Sequence, residues 1–261
     1  MAGPKTIYIV RHAQGEHNVS DLQPQGNSNV KDPILTPLGR EQCQLLRALF
    51  THHDDVEIVM ASGLRRTIQT AVTAFAPTLA RPEVPLLLAP MAQEISAKPC
   101  DTGTDAAELE RGMDEVLRDV DVKFEHVGRI DYSLLEEGWN GKQGIYEASL
   151  SAVTKRAAAL RQWLYNRPET TIVLVTHGAF IHHLTEDWAG MVPPKGTAYK
   201  TTEFRAFTFD ETSSEKEAHL VEIGGSPRVE KRPLGAHAHD ITGIEEADFS
   251  TINLRAETLV L

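Results

Sequence analysis

Three polar clusters in this sequence hold the residue types that could move a phosphoryl group, and each closes an apolar run. Arg11-His12-Ala13-Gln14-Gly15-Glu16-His17-Asn18 follows Thr6–Val10 (TIYIV). Ser62-Gly63-Leu64-Arg65-Arg66-Thr67 comes after Val56–Met60 (VEIVM), and Thr176-His177-Gly178 after Thr171–Val175 (TIVLV). Phosphoryl transfer needs a nucleophile in line with phosphorus and fixed positive groups around its equatorial oxygens. A neutral imidazole can be that nucleophile, because its reference pKa of about 6.5 leaves it mostly unprotonated at neutral pH. Arginine suits the oxygens: its planar fork of donors matches phosphate and keeps its charge. Asn18 adds a neutral donor, and Gly15 and Gly178 would let backbone approach a ligand closely.

The runs that precede the clusters read as strands, being short, β-branched and continuously apolar. Residues 20–33 read as a loop. Thr36 and Pro37 then open a helix through LTPLGREQCQLLRALF, with Leu38, Cys43, Leu45, Leu46 and Leu49 as its apolar face. Ser62 is expected to cap the helix after the second strand. Val84–Leu88 is a third strand weakened by Pro85, residues 104–124 and 146–166 are helical, and Phe204–Phe209 and His219–Ile223 are later strands. Residues 226–261 read as a tail, ordered at first and then frayed. Strand and helix in alternation predict an α/β sheet covered on both faces, with ligands beyond the carboxyl ends of its strands.

Composition narrows the function classes. The chain has 261 residues, 41% hydrophobic and 24% charged, as a folded globular protein would. No apolar run reaches the roughly 20 residues of a membrane span. The first residues enter a strand at once, which leaves no signal peptide expected. Two cysteines, Cys43 and Cys100, are too few for a disulfide framework, so the expected compartment is the cytoplasm, with the nucleus as the other option. A net charge of -11 argues against a nucleic-acid groove and makes an arginine cluster more telling.

Taken together, these residues resemble the histidine phosphatase superfamily, in the branch that holds cofactor-dependent phosphoglycerate mutases and related phosphatases. Arg11-His12 with Asn18 is similar to its R-H-x-x-x-x-x-N signature, in the R-H-A-Q-G-x-H-N form of fungal and plant mutase-like proteins. Asp32-Pro33-Ile34-Leu35-Thr36-Pro37-Leu38-Gly39 resembles the helix entry D-P-x-L-T-x-x-G. Ser62 to Thr67 is similar to S-x-x-x-R-[AT], which makes Arg66 the pocket arginine, and Val175-Thr176-His177-Gly178 resembles the second-histidine motif. Four motifs in order, from residue 6 to about 190, are specific where one would be weak.

The resemblance implies a three-layer α/β/α fold with a mostly parallel central sheet, as one domain over residues 1–261. A pocket-covering insertion is expected at about 95–145. By the same resemblance His12 is the nucleophile, Arg11, Arg66 and His177 hold the phosphoryl oxygens, and Asn18 assists. A carboxyl after the third strand would protonate the leaving oxygen: Glu94 is the best match and Asp101 the fallback. Ala13, Gly15 and Gly63 depart from the common pattern, which bears on the substrate more than on the chemistry.

The expected activity is hydrolysis of a small phosphomonoester through a phosphohistidine, without metal or cofactor. The alternatives are a mutase-type phosphotransferase and a family member that is non-catalytic or repurposed. No nucleic-acid or membrane partner is expected, and the chain would be a monomer or homodimer. Arg65 reads as a solvated helix residue. His52-His53, His182-His183 and His237-Ala238-His239 lack ligand-like partners and read as surface or helix-packing groups. Trp139-Asn140-Gly141-Lys142 lies in the segment expected to cover the pocket, where it reads either as a contact to the non-phosphate part of a substrate or as a loop packing against the core, and Lys98 and Lys142 are the cations to watch there.

Overall fold

The structure is a computed structural model that describes residues 4–19, 28–120, 129–191, 197 and 199–225. Its centre is a seven-stranded sheet, in which β1 is Thr6–Arg11, β2 Ile58–Ala61, β3 Leu86–Leu88 and β4 Ile130–Asp131. Thr171–Thr176 forms β5, Phe204–Phe209 β6 and Leu220–Glu222 β7. The order is β4-β3-β2-β5-β1-β6-β7. The five strands from β4 to β1 run parallel, and β6 and β7 continue the sheet antiparallel. Helices cover both faces, so the α/β/α expectation holds.

Side chains alternate between the two faces of each strand, and two cores follow from that. Tyr8, Val10, Val59, Ala61, Val173 and Val175 face one core. They meet α1 (Pro37–Leu49), α2 (Arg65–Ala74), the short α3 (Ala76–Leu79), α4 (Ala106–Arg111) and α5 (Met113–Val116). Ile7, Ile9, Ile58, Met60, Ile172 and Leu174 face the other, against α6 (Leu150–Asn166) and α7 (Gly178–Thr185). Burial on both sides is why these strands read as continuous apolar runs rather than alternating ones.

Helix α1 begins as expected, with the Thr36 hydroxyl accepting from Gly39 N–H and Pro37 at the first position. Its apolar face differs. Gly39, Cys43 and Leu46 point inward, whereas Leu38, Leu45 and Leu49 are 49%, 60% and 61% exposed. The stripe at 38, 45 and 49 is as regular as the one at 39, 43 and 46, and only the packing selects between them. Among the described residues, the helix expected over 104–124 is two pieces broken at Gly112, which serves as C-cap of α4 and N-cap of α5, and 121–124 lie outside the described residues. Helix α6 starts at Leu150, where Ser149 caps it, and the residues before it form a short 3-10 turn at Gly144–Tyr146. The tail at 226–261, with His237 and His239, lies outside the described residues.

Among the described residues no helix is long and apolar enough to cross a membrane.

The two leucine environments make opposite predictions. Leu174, fully buried in the middle strand, should cost about 2–5 kcal/mol when changed to Ala. Leu45→Ala should stay within about 0.5 kcal/mol. Urea unfolding midpoints measure both, and an equal cost would contradict this assignment of the core.

Candidate active site

The sheet register brings the clusters together. Arg11 pairs with Thr176 across β1 and β5, and Ala61 pairs with Val175 across β2 and β5. Beyond the strand ends, His12 N–H still donates to Thr176 O (2.9 Å) and Ser62 N–H to Val175 O (3.0 Å). The imidazoles of His12 and His177 therefore lie edge to face, with centroids 5.1 Å apart. Both are fully buried, as is Arg66.

Hydrogen-bond chemistry assigns the tautomers. His12 Nδ1 is 2.7 Å from the Ala13 carbonyl, which can only accept, so Nδ1 carries the proton. Its Nε2 then presents a lone pair and takes the Nε–H of Arg66 at 3.3 Å. His177 Nδ1 faces Arg66 Nη2 at 3.1 Å, and a guanidinium only donates, so this nitrogen is an acceptor. Its Nε2–H points to Ser62 Oγ at 3.0 Å.

Arg66 is the hub. Besides the two imidazoles, Nη1 donates to Cys100 O (2.6 Å) and Nη2 to Asp101 Oδ1 (3.0 Å). The other carboxylate oxygen of Asp101 accepts from the Ser96 hydroxyl. Helix α2 points Arg66 inward because its N-terminus is held from outside: Asp32, with φ 41°, accepts Arg65 N–H at 3.0 Å and Thr104 N–H at 3.0 Å. Arg65 is thus more than a solvated residue, since its Nε also donates to Asp32 O at 2.6 Å. Ser62 is not the helix cap. Leu64 occupies that position, and the Ser62 hydroxyl serves His177 instead.

Arg11 is held by a relay whose direction is fixed by donor type. His182 Nδ1 lies 2.7 Å from Asp187 O, so its Nε2 accepts from Thr197 Oγ1 at 2.7 Å. Thr197 Oγ1 accepts Tyr199 N–H (3.1 Å), and Tyr199 O accepts Arg11 Nη1 (2.7 Å). The Thr197 methyl lies against Gly178, where an added Cβ would approach it to 2.2 Å and Arg11 Nε to 3.1 Å. That close approach is what the glycine after His177 permits. His182 and His183 are buried helix-packing groups. The apolar setting AFIHHL signalled their burial, but nothing local pointed to Thr197 or Tyr199.

The remaining expected residues are also here. Asn18 is buried, with Oδ1 accepting Gly15 N–H (2.9 Å) and Nδ2 donating to His17 Nε2 (3.1 Å), which closes the turn after His12. Glu94 caps α7 from the loop after β3: its carboxylate oxygens accept Ile95 N–H (2.9 Å), Phe180 N–H (3.0 Å) and Ala179 N–H (3.3 Å). A carboxylate is well placed at such a helix start, where the dipole favours negative charge. Lys98 precedes the 3-10 turn Pro99–Asp101, and its backbone N–H donates to Ser96 Oγ at 3.1 Å. Among the described residues no group of three or more His, Cys, Asp or Glu side chains is arranged to hold a metal.

An imidazole with a fixed tautomer, two buried guanidinium groups and a second imidazole at parallel strand ends match the family pattern. The model of the histidine phosphatase superfamily (branch 1) matches residues 7–220. The chain belongs to this superfamily. It is 32% identical over 205 residues to phosphoglycerate mutase-like protein 1 of Arabidopsis thaliana, covering 69% of this chain and 70% of that protein. It is 27% identical over 180 residues to a "probable phosphatase" of Schizosaccharomyces pombe, covering 68% of this chain and 76% of the other. A mycobacterial glucosyl-3-phosphoglycerate phosphatase superposes with a TM-score of 0.47 at 15% identity, over 84% of this chain and 97% of that one.

The relay also predicts a pH effect on this member's stability. Burial, the leading cause, holds the His182 pKa at about 4 against an ordinary 6.5, with the Asp187 carbonyl opposing it. As pH falls below about 6.5 the unfolded chain gains the proton first, so the fold loses stability down to about pH 4 and no further from this group. The expected loss is about 3 kcal/mol. Urea unfolding between pH 7 and 4.5 should show a shallower slope for His182→Gln than for wild type, and equal slopes would contradict the assignment.

Proposed function

We propose that this chain hydrolyses a small phosphorylated metabolite through a phosphohistidine on His12, without metal or cofactor. The observation that carries the reading is the tautomer of His12. Its Nδ1–H is committed to a carbonyl, so the lone pair of Nε2 points at Arg66, where a phosphoryl group would be held.

In this reading the Nε2 lone pair attacks phosphorus and the P–O bond to the leaving group breaks. The leaving oxygen takes a proton from the carboxylic-acid form of Glu94, with Asp101 as the other carboxyl in reach of the pocket arginine. Arg11, Arg66 and His177 carry the charge on the equatorial oxygens, and Asn18 assists from the turn after His12. Water then gives a proton to the Glu94 carboxylate left by the first step and attacks the phosphohistidine, whose P–N bond breaks to release inorganic phosphate and restore the imidazole. Each guanidinium acts in a dry site, where fixed charge is worth more than in water.

In the same reading the segment at about 95–145 covers the pocket of one domain, and the protein works in the cytoplasm, or alternatively the nucleus, as a monomer or homodimer. The phosphatase relative in Schizosaccharomyces pombe supports hydrolysis, and the mutase-like relatives in Arabidopsis keep transfer between two substrate hydroxyls as the second reading.

His12→Ala should lower kcat/KM by about 10³-fold or more, and Arg11→Ala or Arg66→Ala by about 10²- to 10³-fold. A phosphate-release assay over a phosphomonoester panel measures this, and an alkaline quench followed by mass spectrometry locates the phosphoryl group on His12. Full activity of His12→Ala would end the reading. Isomerisation of 3-phosphoglycerate without phosphate release would select the mutase. Glu94→Gln should lose more activity on alkyl phosphates than on 4-nitrophenyl phosphate, whose leaving group needs no proton, and should lack the alkaline limb of the wild-type kcat/KM profile. An equal loss on both substrates would move the proton to Asp101.

A further inference from the structure

The segment carrying Lys142 is bolted to the phosphoryl pocket on three sides. The Trp139 indole is buried, and it occupies the space that side chains at residues 63 and 103 would need. A Cβ at Gly63 would lie 2.6 Å from that ring and one at Gly103 2.3 Å. Gly63, which departs from the usual family residue, therefore has a physical reason: it admits Trp139 beside the start of the Arg66 helix. Asn140 Nδ2 donates to Gly103 O (3.0 Å), and Gln93 Nε2 donates to Trp139 O (3.0 Å). The loops after β2 and β3 and the loop that receives Arg66 thus all grip the residues just before Lys142.

Lys142 itself is held in a costly conformation. Its φ of 51° lies in the left-handed region that favours glycine, and a lysine there costs about 1 kcal/mol or more. The residue is part-exposed, but its ammonium turns inward and donates to Glu94 O at 3.2 Å. An ammonium has three N–H donors, and this is the one hydrogen bond it makes among the described residues. Its bond to Glu94, which caps the helix after His177, places it beside the pocket, where Asp101 and Glu94 attract it and Arg156 and Arg66 repel it.

Both terminal nitrogens of Arg156 are committed to the protein. Its guanidinium donates to Gln93 O (2.7 Å), Met91 O (3.3 Å) and Glu94 O (3.4 Å), and it stacks on the Phe180 ring at 4.6 Å. Its work is to hold the backbone on which Lys142 rests.

We infer that Lys142 binds a second acidic group, a carboxylate or a second phosphate, on the part of the substrate that leaves. The inference rests on the phosphatase reading above and deepens it. Donors left over on an inward ammonium, on a strained and anchored loop beside the phosphoryl pocket, are completed by an anionic oxygen from the substrate. Burial, the main cause, pushes this ammonium down to about 7, despite the pull of Asp101. An arriving anion would restore its charge.

The test compares matched substrates that differ in one acidic group: 3-phosphoglycerate against glycerol 3-phosphate, and fructose 1,6-bisphosphate against fructose 6-phosphate. Wild type should prefer the acidic member of at least one pair, and that pair identifies carboxylate or phosphate as the group recognised. Lys142→Met should reduce this preference by about tenfold to hundredfold, the worth of one charged hydrogen bond, mainly through KM. Lys142→Arg should restore part of it. The preference is a ratio within one preparation, so loss of folded protein cancels. No wild-type preference, or an unchanged ratio in Lys142→Met with activity falling equally on every substrate, would overturn the inference.

Calorimetric binding of the same pairs to His12→Ala, with and without Lys142→Met, reads the subsite without turnover. Failure of wild type to hydrolyse any of these esters, with selective binding still dependent on Lys142, would overturn the phosphatase reading and leave the subsite standing. Binding with no selectivity would overturn the subsite itself.

Discussion

The site depends on one buried guanidinium. Arg66 is removed from water, and a charge so placed is tolerated only when its donors are matched and a counter-charge is close. The chain meets that demand from four directions at once: Asp101 supplies the counter-charge, Cys100 a carbonyl, and His12 and His177 their acceptor nitrogens. None of these is near Arg66 in sequence. Satisfying one charge therefore specifies how the strand ends after β1 and β5 sit against the loop after β3, and this is the geometry a phosphoryl group requires.

Rigid elements deliver those groups. The parallel register of β1, β5 and β2 places His12, His177 and Ser62 side by side because the three strands end nearly level. The protein then uses small residues where parts must nearly touch: Gly178 for Thr197 and Arg11, and Gly63 and Gly103 for Trp139. Polar loops behind the pocket are tied by bonds of fixed direction, as in the run from Asp187 through His182 and Thr197 to Arg11. An arginine held through four such links has little side-chain entropy left to lose, which is the general advantage of preorganisation.

Carboxylates in this pocket are positioned as much as they are poised. Glu94 ties the loop after β3 to the first turn of α7, directly beside His177, and its carbonyl receives Lys142. Asp101 is shared between Arg66 and Ser96. Both carboxyl groups attract Lys142, which Arg66 and Arg156 repel.

What could be read in the sequence is what local chemistry controls. Strands buried on both faces must be continuously apolar, so TIYIV and TIVLV declared themselves, and Arg11, His12 and His177 could be placed at their ends. Arg66 came from the resemblance of Ser62 to Thr67 to a family motif, and the Thr36 cap from residue preference alone. What only the tertiary structure decided is what depends on neighbours far along the chain. Ser62 prefers to cap a helix, but the backbone turned two residues later and the hydroxyl met His177. On α1, two equally regular stripes competed, and the sheet took the one containing Cys43 and Leu46, leaving Leu38, Leu45 and Leu49 to solvent. Trp139 and Lys142 drew notice as a loop beside the pocket, yet the space between Gly63 and Gly103 that seats the indole exists only in the fold. Local preference is set by a residue's own backbone, whereas the choice among partners is set by packing, and packing is a property of the whole chain.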